Sequence, residues 1–185
     1  MRYNKIFFLF LLIIISCGKS EELMVAKSDL VLQPIGDYTY YRKELFTGKS
    51  VLRYENLHNA EIATFRDGRK EGLYQKFFGN GKISYEANYK DGNLDGIAKS
   101  WWGNGNLRSE SFYRNEVVEG EQKQYYQSGK IFKVMNFTNG LQDGMQKAWR
   151  ENGKIYNNYQ AKNGRIFGLK RATLCLQLED EKVQY

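Results

Sequence analysis

The chain has 185 residues, a formal net charge of +7, one histidine and two cysteines. That length suits one domain, and two cysteines exclude a cysteine metal cluster. Stability therefore has to come from packing.

Residues 1–16 carry Arg2 and Lys5 and then an uncharged apolar run of ten residues, Ile6 to Ile15. Such a run is too short to cross a bilayer, and cations followed by an apolar segment and a small residue make a secretory signal. Ile14-Ile15-Ser16 before Cys17 resembles a bacterial lipobox, which implies cleavage after Ser16 and lipidation of the Cys17 thiol. Acyl chains contribute about 0.8 kcal/mol per buried methylene, so more than one holds a protein on a membrane without crossing it. Removal of the signal takes two cations from the 28, leaving 26 against 21 anions, or about +5. Cys175 is then alone, so an intramolecular disulfide has no second partner.

Residues 17–40 begin Cys17-Gly18-Lys19-Ser20-Glu21-Glu22, contain the only proline, Pro34, and show little apolar periodicity. They read as a lipidated cysteine and a tether. The acidic start resembles the export signals of some outer-membrane lipoproteins, which places the expected site of action in the bacterial envelope, on the outer membrane, facing the periplasm or the surface.

Residues 41–168 are governed by a period. Gly48, Gly72, Gly96, Gly120, Gly144 and Gly168 stand 24 residues apart, and Gly81, Gly105, Gly129 and Gly153 repeat the same step. A third column runs Gly68, Gly92, Glu116, Gly140, Gly164. Asn80-Gly81, Gly103-Asn104-Gly105, Ser128-Gly129 and Asn152-Gly153 give one turn signal per unit. Asp67-Gly68, Asp91-Gly92, Asn139-Gly140 and Asn163-Gly164 give a second. These dipeptides supply the positive φ angles of hairpin turns, so each unit is expected to be one β-hairpin and the whole an all-β, elongated, single-layer antiparallel meander. Even spacing places Ile83, Leu107, Ile131 and Ile155 on one face with Tyr89, Tyr113, Phe137 and Ala161. Residues 169–185 are left as a C-terminal cap and tail.

The pattern G-x-x-x-x-aromatic-aromatic-x-N-G-K, followed by an aromatic and D/N-G-x-x-D/E-G, resembles the variant MORN repeat over roughly residues 41–168. The resemblance implies a twisted, single-layer antiparallel sheet, and in bacteria such chains are often grouped with antitoxins of toxin–antitoxin pairs. Leu57 and Glu116 replace expected turn glycines, and Arg150 interrupts an aromatic column.

Two aromatic columns are candidate sites: Phe77, Trp101, Tyr125, Trp149, and Tyr54, Phe78, Trp102, Tyr126. Adjacent strand residues point to opposite faces. One column is therefore expected to form a ring-on-ring core ladder between repeats, and the other to remain open to a partner. Lys99, Lys123 and Lys147 form a cationic column, with Lys82, Lys130 and Lys154 near the turns. Trp101, Trp102, Tyr125, Tyr126, Lys99, Lys123 and Lys147 make up the candidate binding face. Glu71, Asp95, Glu119 and Asp143 are expected to stabilise turns or pair with lysines, because carboxylates one repeat apart do not converge on a cation. His58 has no accompanying catalytic motif, and a repeating sheet offers no out-of-pattern polar cluster. The expectation is a non-enzymatic, lipid-anchored repeat scaffold of the envelope, without metal or cofactor. It binds a protein or an envelope polymer and not nucleic acid. An antitoxin or immunity protein neutralising a cognate effector is the alternative.

Overall fold

The computed structural model describes residues 22–33 and 36–167. The expected signal segment, Cys17, Gly168, Cys175 and the C-terminal cap lie outside them. The chain opens with β1 (Met24–Ala26), a 3-10 turn (Lys27–Asp29), β2 (Val31–Gln33), β3 (Tyr38–Tyr41) and β4 (Glu44–Leu45). The repeats supply β5 (Gly48–Arg53), β6 (Asn59–Arg66), β7 (Arg69–Phe77), β8 (Ile83–Lys90), β9 (Asn93–Trp101) and β10 (Leu107–Arg114). They continue as β11 (Val117–Tyr125), β12 (Ile131–Thr138), β13 (Leu141–Gln142), β14 (Gly144–Trp149), β15 (Ile155–Lys162) and β16 (Arg165–Phe167).

From β5 to β16 each strand pairs antiparallel with its successor in one long sheet, apart from β13, which lies beside β12. This is the meander of hairpins that the period implies. Its two turn columns differ. At Asp67-Gly68, Asp91-Gly92, Asn115-Glu116, Asn139-Gly140 and Asn163-Gly164 both residues have positive φ, the signature of the two-residue type I′ hairpin. In the other column only the glycine does, at Gly81, Gly105, Gly129 and Gly153. The N–H of Gly81 bonds the Phe78 carbonyl and that of Phe78 bonds the Lys82 carbonyl, as in a type I turn closed by a G1 bulge.

Bulges correct the even-spacing expectation. Phe77 pairs with Ile83, but Lys76 pairs with Tyr85, so Ser84 is an extra residue. Arg108, Phe132 and Tyr156 sit at the same register shift in later repeats. A bulge sets two residues against one and reverses the alternation. Ile83 therefore shares a face with Phe77, while Tyr85, Ala87 and Tyr89 share the opposite one. Leu107, Ile131 and Ile155 likewise part from Tyr113, Phe137 and Ala161. A second irregularity surrounds the positive-φ glycines Gly72, Gly96 and Gly120.

One face, here called inner, carries a buried row of mostly small residues: Ser50, Ala63, Tyr74, Ala87, Ala98, Ser111 and Gln146. Cross-strand pairing joins the first six in sequence. Ala87 is fully buried although no second layer of the repeats covers it, because larger side chains on the same face, such as Tyr85 and Tyr89, close over it. Gln146 uses its amide on the backbone of Asn136, donating to the carbonyl at 2.9 Å and accepting from the N–H at 3.1 Å.

The expected tether is folded over much of its length. β1 pairs parallel with β5, setting Val25 against Ser50, and the Lys49 N–H donates to the Leu23 carbonyl at 2.7 Å. β2, β3 and β4 form a separate three-stranded flap. The flap is fastened through Phe46, whose ring lies 5.5 Å from Phe65, and through hydrogen bonds from Thr39 N–H to the Gly68 carbonyl and from Gly68 N–H to the Phe46 carbonyl. Val25, Phe46, Ala63, Phe65 and Tyr74 form the one buried apolar cluster among the described residues, with Leu30 and Tyr41 packed against it. Burial of those side chains, each favourable by about 1.5–3 kcal/mol when complete, explains why residues without periodicity still fold.

Candidate functional site

The structure divides the expected binding face between two surfaces. Lys99, Trp101, Lys123, Tyr125 and Lys147 lie on the outer face. Trp102 and Tyr126 lie on the inner face, in alternation with Ala98 and Ser100 and with Gln122 and Gln124. All seven are half-buried. Cys17, the expected lipidation site, is outside the described residues.

The outer face is ordered by pairing. Phe77 stands opposite Ile83, Trp101 opposite Leu107, Tyr125 opposite Ile131 and Trp149 opposite Ile155, so each hairpin contributes one aromatic and one aliphatic side chain to a band along the sheet. Beside it, Gln75, Glu86, Lys99, Glu110 and Lys123 follow one another directly across five strands. The lysine column is thereby interleaved with a carboxylate column. Lys99 bonds Glu110 at 2.8 Å, and this bond, ahead of the attraction itself, raises the Lys99 pKa. Lys123 turns to Glu121 on its own strand at 2.8 Å. Beyond it Val134 replaces the acid, so Lys147 faces Val134 and Asn158. Much of the cationic column is thus neutralised in place, and among the described residues Lys147 is the column member without a salt bridge.

The expected ring-on-ring ladder does not form: among the described residues neither column stacks on its own counterparts. The inner column instead ties repeats together through its polar tips. Tyr54 Oη donates to the Phe77 carbonyl at 2.8 Å, Trp102 Nε1 to the Tyr125 carbonyl at 3.0 Å, and Tyr126 Oη to the Trp149 carbonyl at 2.8 Å. Each ring spans one repeat and satisfies a backbone acceptor at the next turn. The bulge residues complete this packing: the Arg108 guanidinium lies 4.6 Å over Trp102, and Phe132 lies 5.0 Å from Tyr126. A depression of about 360 Å³ lies beside Trp102, Arg108 and Phe132.

The acidic column serves the turns. Carboxylate oxygens of Glu71, Asp95 and Glu119 accept the backbone N–H of Asp91, Asn115 and Asn139 at 2.9, 3.2 and 2.8 Å. Asp143 stands in the same relation to Asn163 at 3.5 Å. No group of acidic, histidine or cysteine side chains among the described residues is placed to hold a metal ion. His58 is exposed, its Nδ1 3.0 Å from the Gly79 carbonyl in the degenerate first turn.

A larger concavity, about 690 Å³, opens between the flap and the inner face of the first repeats. Lys27, Glu61, Lys70 and Tyr74 meet there. Lys27 Nζ bonds Glu61 at 2.6 Å. The Lys70 ammonium lies 4.9 and 5.0 Å from the ring centres of Tyr74 and Tyr89. Burial pulls the Lys70 pKa down, against an upward pull from Glu61. Burial first, then the charge and hydrogen bond of Glu61, push the Tyr74 hydroxyl well above the usual tyrosine range. This cluster was not expected from the sequence, yet a signal for it exists. In the columns of the repeat, Lys70 stands with Phe46, Leu94, Val118, Gln142 and Ile166, and Tyr74 with Ser50, Ala98, Gln122 and Gln146. Both depart from their columns, and they do so within one concavity.

With two turns and two bulges per unit in place, the comparison with known families is specific. The MORN repeat variant matches residues 70–91, 94–115 and 118–139. These three consecutive units form the centre of the sheet, and the same geometry extends past them on both sides. No curated protein gives a significant match. The chain is a β-repeat scaffold built on units similar to that family.

Proposed function

We propose that the chain is a non-enzymatic, lipid-anchored scaffold of the bacterial envelope, held by acyl chains on Cys17, that binds a protein or an envelope polymer along its outer face. The observation that carries this reading is the continuous outer band Phe77, Ile83, Trp101, Leu107, Tyr125, Ile131, Trp149 and Ile155. Extended, half-buried aromatic and apolar surface of this kind marks interaction sites, and repeat arrays present such surfaces by adding units. The inner column has a structural use in the tip-to-carbonyl bonds, so binding is assigned to Trp101 and Tyr125 and not to Trp102 and Tyr126. The charges of Lys99 and Lys123 set register more than affinity, because exposed ion pairs contribute little.

The test is photo-crosslinking in the native host from a photoreactive aromatic residue placed at position 101 or, for comparison, at position 102, followed by identification of the attached species. Capture from 101 and not from 102 is expected; capture only from 102 refutes the outer-face assignment. An antitoxin role would appear in the same experiment as one effector protein recovered from either position. Cys17→Ala is expected to move the protein out of the membrane fraction, and its retention there refutes the anchor.

A further inference from the structure

In a repeat protein, residues that obey their column serve the scaffold, and residues that break it together in one place point to something the scaffold does not need. Lys70 is the only charged member of its column, and Tyr74 the only aromatic member of its own. Phe65 stands directly opposite Lys70 on the neighbouring strand, so the ammonium rises from an apolar floor. Its polar neighbours are already committed. Glu61 is held by Lys27 at 2.6 Å. Arg69 is laid 4.7 Å over the Tyr38 ring, donating to its hydroxyl at 2.8 Å and to the Asp91 carbonyl at 3.4 Å. Lys70 has three N–H donors and, among the described residues, only the faces of Tyr74 and Tyr89 and no oxygen acceptor. A half-buried ammonium that Glu61 attracts but does not hydrogen-bond gains further from an anion that reaches it directly.

The remainder of the concavity defines what else the anion carries. Asp37, Asp91, Asn93 and Glu116 line it and offer acceptors, which would repel a densely charged anion but accept from hydroxyl groups. Phe65 and Tyr74 are buried in the core cluster beneath the cleft, so its floor is apolar while its rim is polar. The volume of about 690 Å³ falls within the roughly 300–1,000 Å³ of small-molecule sites.

We propose that this cleft binds a uronate-bearing oligosaccharide, its carboxylate received by the Lys70 ammonium and its hydroxyls donating to Asp37, Asp91 and Asn93. An acidic peptide fits less well, since its side chains bring carboxylates without the hydroxyl donors that Asp37, Asp91 and Asn93 would receive. The proposal rests on the envelope-scaffold reading only in drawing its ligand from an envelope polymer. It assigns the binding to the inner cleft, not the outer band.

The test is calorimetric titration of the full chain in detergent with trigalacturonate, with neutral galactotriose and hexaglutamate as comparators. Two variants restore the residue that the next repeat carries in the same column: Lys70→Leu, after Leu94, and Tyr74→Ala, after Ala98. Trigalacturonate is expected to bind at least tenfold more tightly than either comparator, and at least tenfold more weakly to each variant. With 15N-lysine labelling, the Lys70 ammonium signal is expected to shift on addition of trigalacturonate while that of Lys147 does not, a readout that needs no variant to fold. Absence of binding by trigalacturonate, equal binding of hexaglutamate, undiminished binding by Lys70→Leu or an unmoved Lys70 signal each overturn the proposal. Crosslinking from position 101 fails or succeeds independently, so loss of the cleft site leaves the scaffold reading standing.

Discussion

Replacing Glu116 with glycine should stabilise the protein, and the magnitude follows from five turns that share one backbone conformation. The second residue of each type I′ turn has φ of 78°, 88°, 67°, 78° and 76°, and only the third, Glu116, carries a side chain there. A left-handed L-residue costs roughly 1–2 kcal/mol, and the extra freedom of glycine in the unfolded chain returns about 0.4–1 kcal/mol of that. Glu116→Gly should therefore gain about 0.5–1 kcal/mol, or about 1–4 °C in melting temperature for a domain of this size. The reverse changes separate conformation from crowding. At Gly92 an added Cβ would meet only the Arg69 side chain at 3.8–4.0 Å, ordinary contact, so Gly92→Ala should cost about 1 kcal/mol from backbone strain alone. At Gly68 the Cβ would lie 2.8 Å from Leu45 Cδ2 and 3.0 Å from the Thr39 carbonyl oxygen. Gly68→Ala should therefore cost clearly more and loosen the flap. Urea unfolding followed by tryptophan fluorescence, with thermal melts in parallel, measures all three. A Glu116→Gly protein no more stable than the parent, or a Gly68→Ala protein no worse than Gly92→Ala, would refute the turn assignment.

Trp102→Phe keeps a ring against Arg108 but removes the bond to the Tyr125 carbonyl, and should cost about 1 kcal/mol by urea unfolding; no loss would mean that the inner column is not a tie between repeats. Glu119→Ala removes the acceptor of the Asn139 N–H at 2.8 Å. It should cost about 0.5–1.5 kcal/mol and speed hydrogen exchange at that amide, with an unchanged exchange rate as the contrary result. Alkaline pH should unfold the protein. The Tyr74, Tyr85 and Tyr89 pKa values are raised, mainly by burial, so the folded chain holds these protons more tightly than the unfolded chain. Stability from them is full below the unfolded value, about pH 10, and falls as pH rises beyond it. Lys70, with its pKa lowered, works in the opposite direction but is one group against three. The urea midpoint should fall between pH 9 and 11, less steeply in Tyr74→Phe, and a flat or rising wild-type midpoint would contradict the burial of these tyrosines.

The periodic part of the fold was legible because its information is local and repeated. Asp91-Gly92 and Asn80-Gly81 specify turns whatever surrounds them, and four copies of each remove the ambiguity of any one. The faces were less legible. Counting by two from Ile83 to Tyr89 fails because the bulge at Ser84 inserts a residue, and nothing in Ser84, Arg108, Phe132 and Tyr156 as a set marks them as bulged. They are polar, basic and aromatic in turn. The pairing of Lys99 with Glu110 was hidden for a related reason, since cross-strand partners in successive hairpins are not separated by the repeat length. The flap was hidden because Val25 and Leu30 have no period and Phe46, although it falls in a column, packs on a ring that no later repeat supplies. Their partners Ser50 and Phe65 lie on later strands, and only the tertiary contact gives them meaning.

The sheet also shows where a repeat protein can change without losing its fold. In the middle units each position is answered by the same position 24 residues away, so a departure there breaks a tie on both sides: the Tyr126 hydroxyl, for example, bonds the Trp149 carbonyl while its ring meets Phe132. At the N-terminal end the flap replaces one of those neighbours. Phe65 packs on Phe46 of the flap, Arg69 on Tyr38, and Glu61 pairs with Lys27, all partners that no repeat supplies. Residues of β6 and β7 are thus free from the column on one side and held by non-repeating chain on the other. That freedom permits a lysine at position 70 where the columns call for an apolar side chain, and the flap encloses it in a cleft that the open sheet lacks.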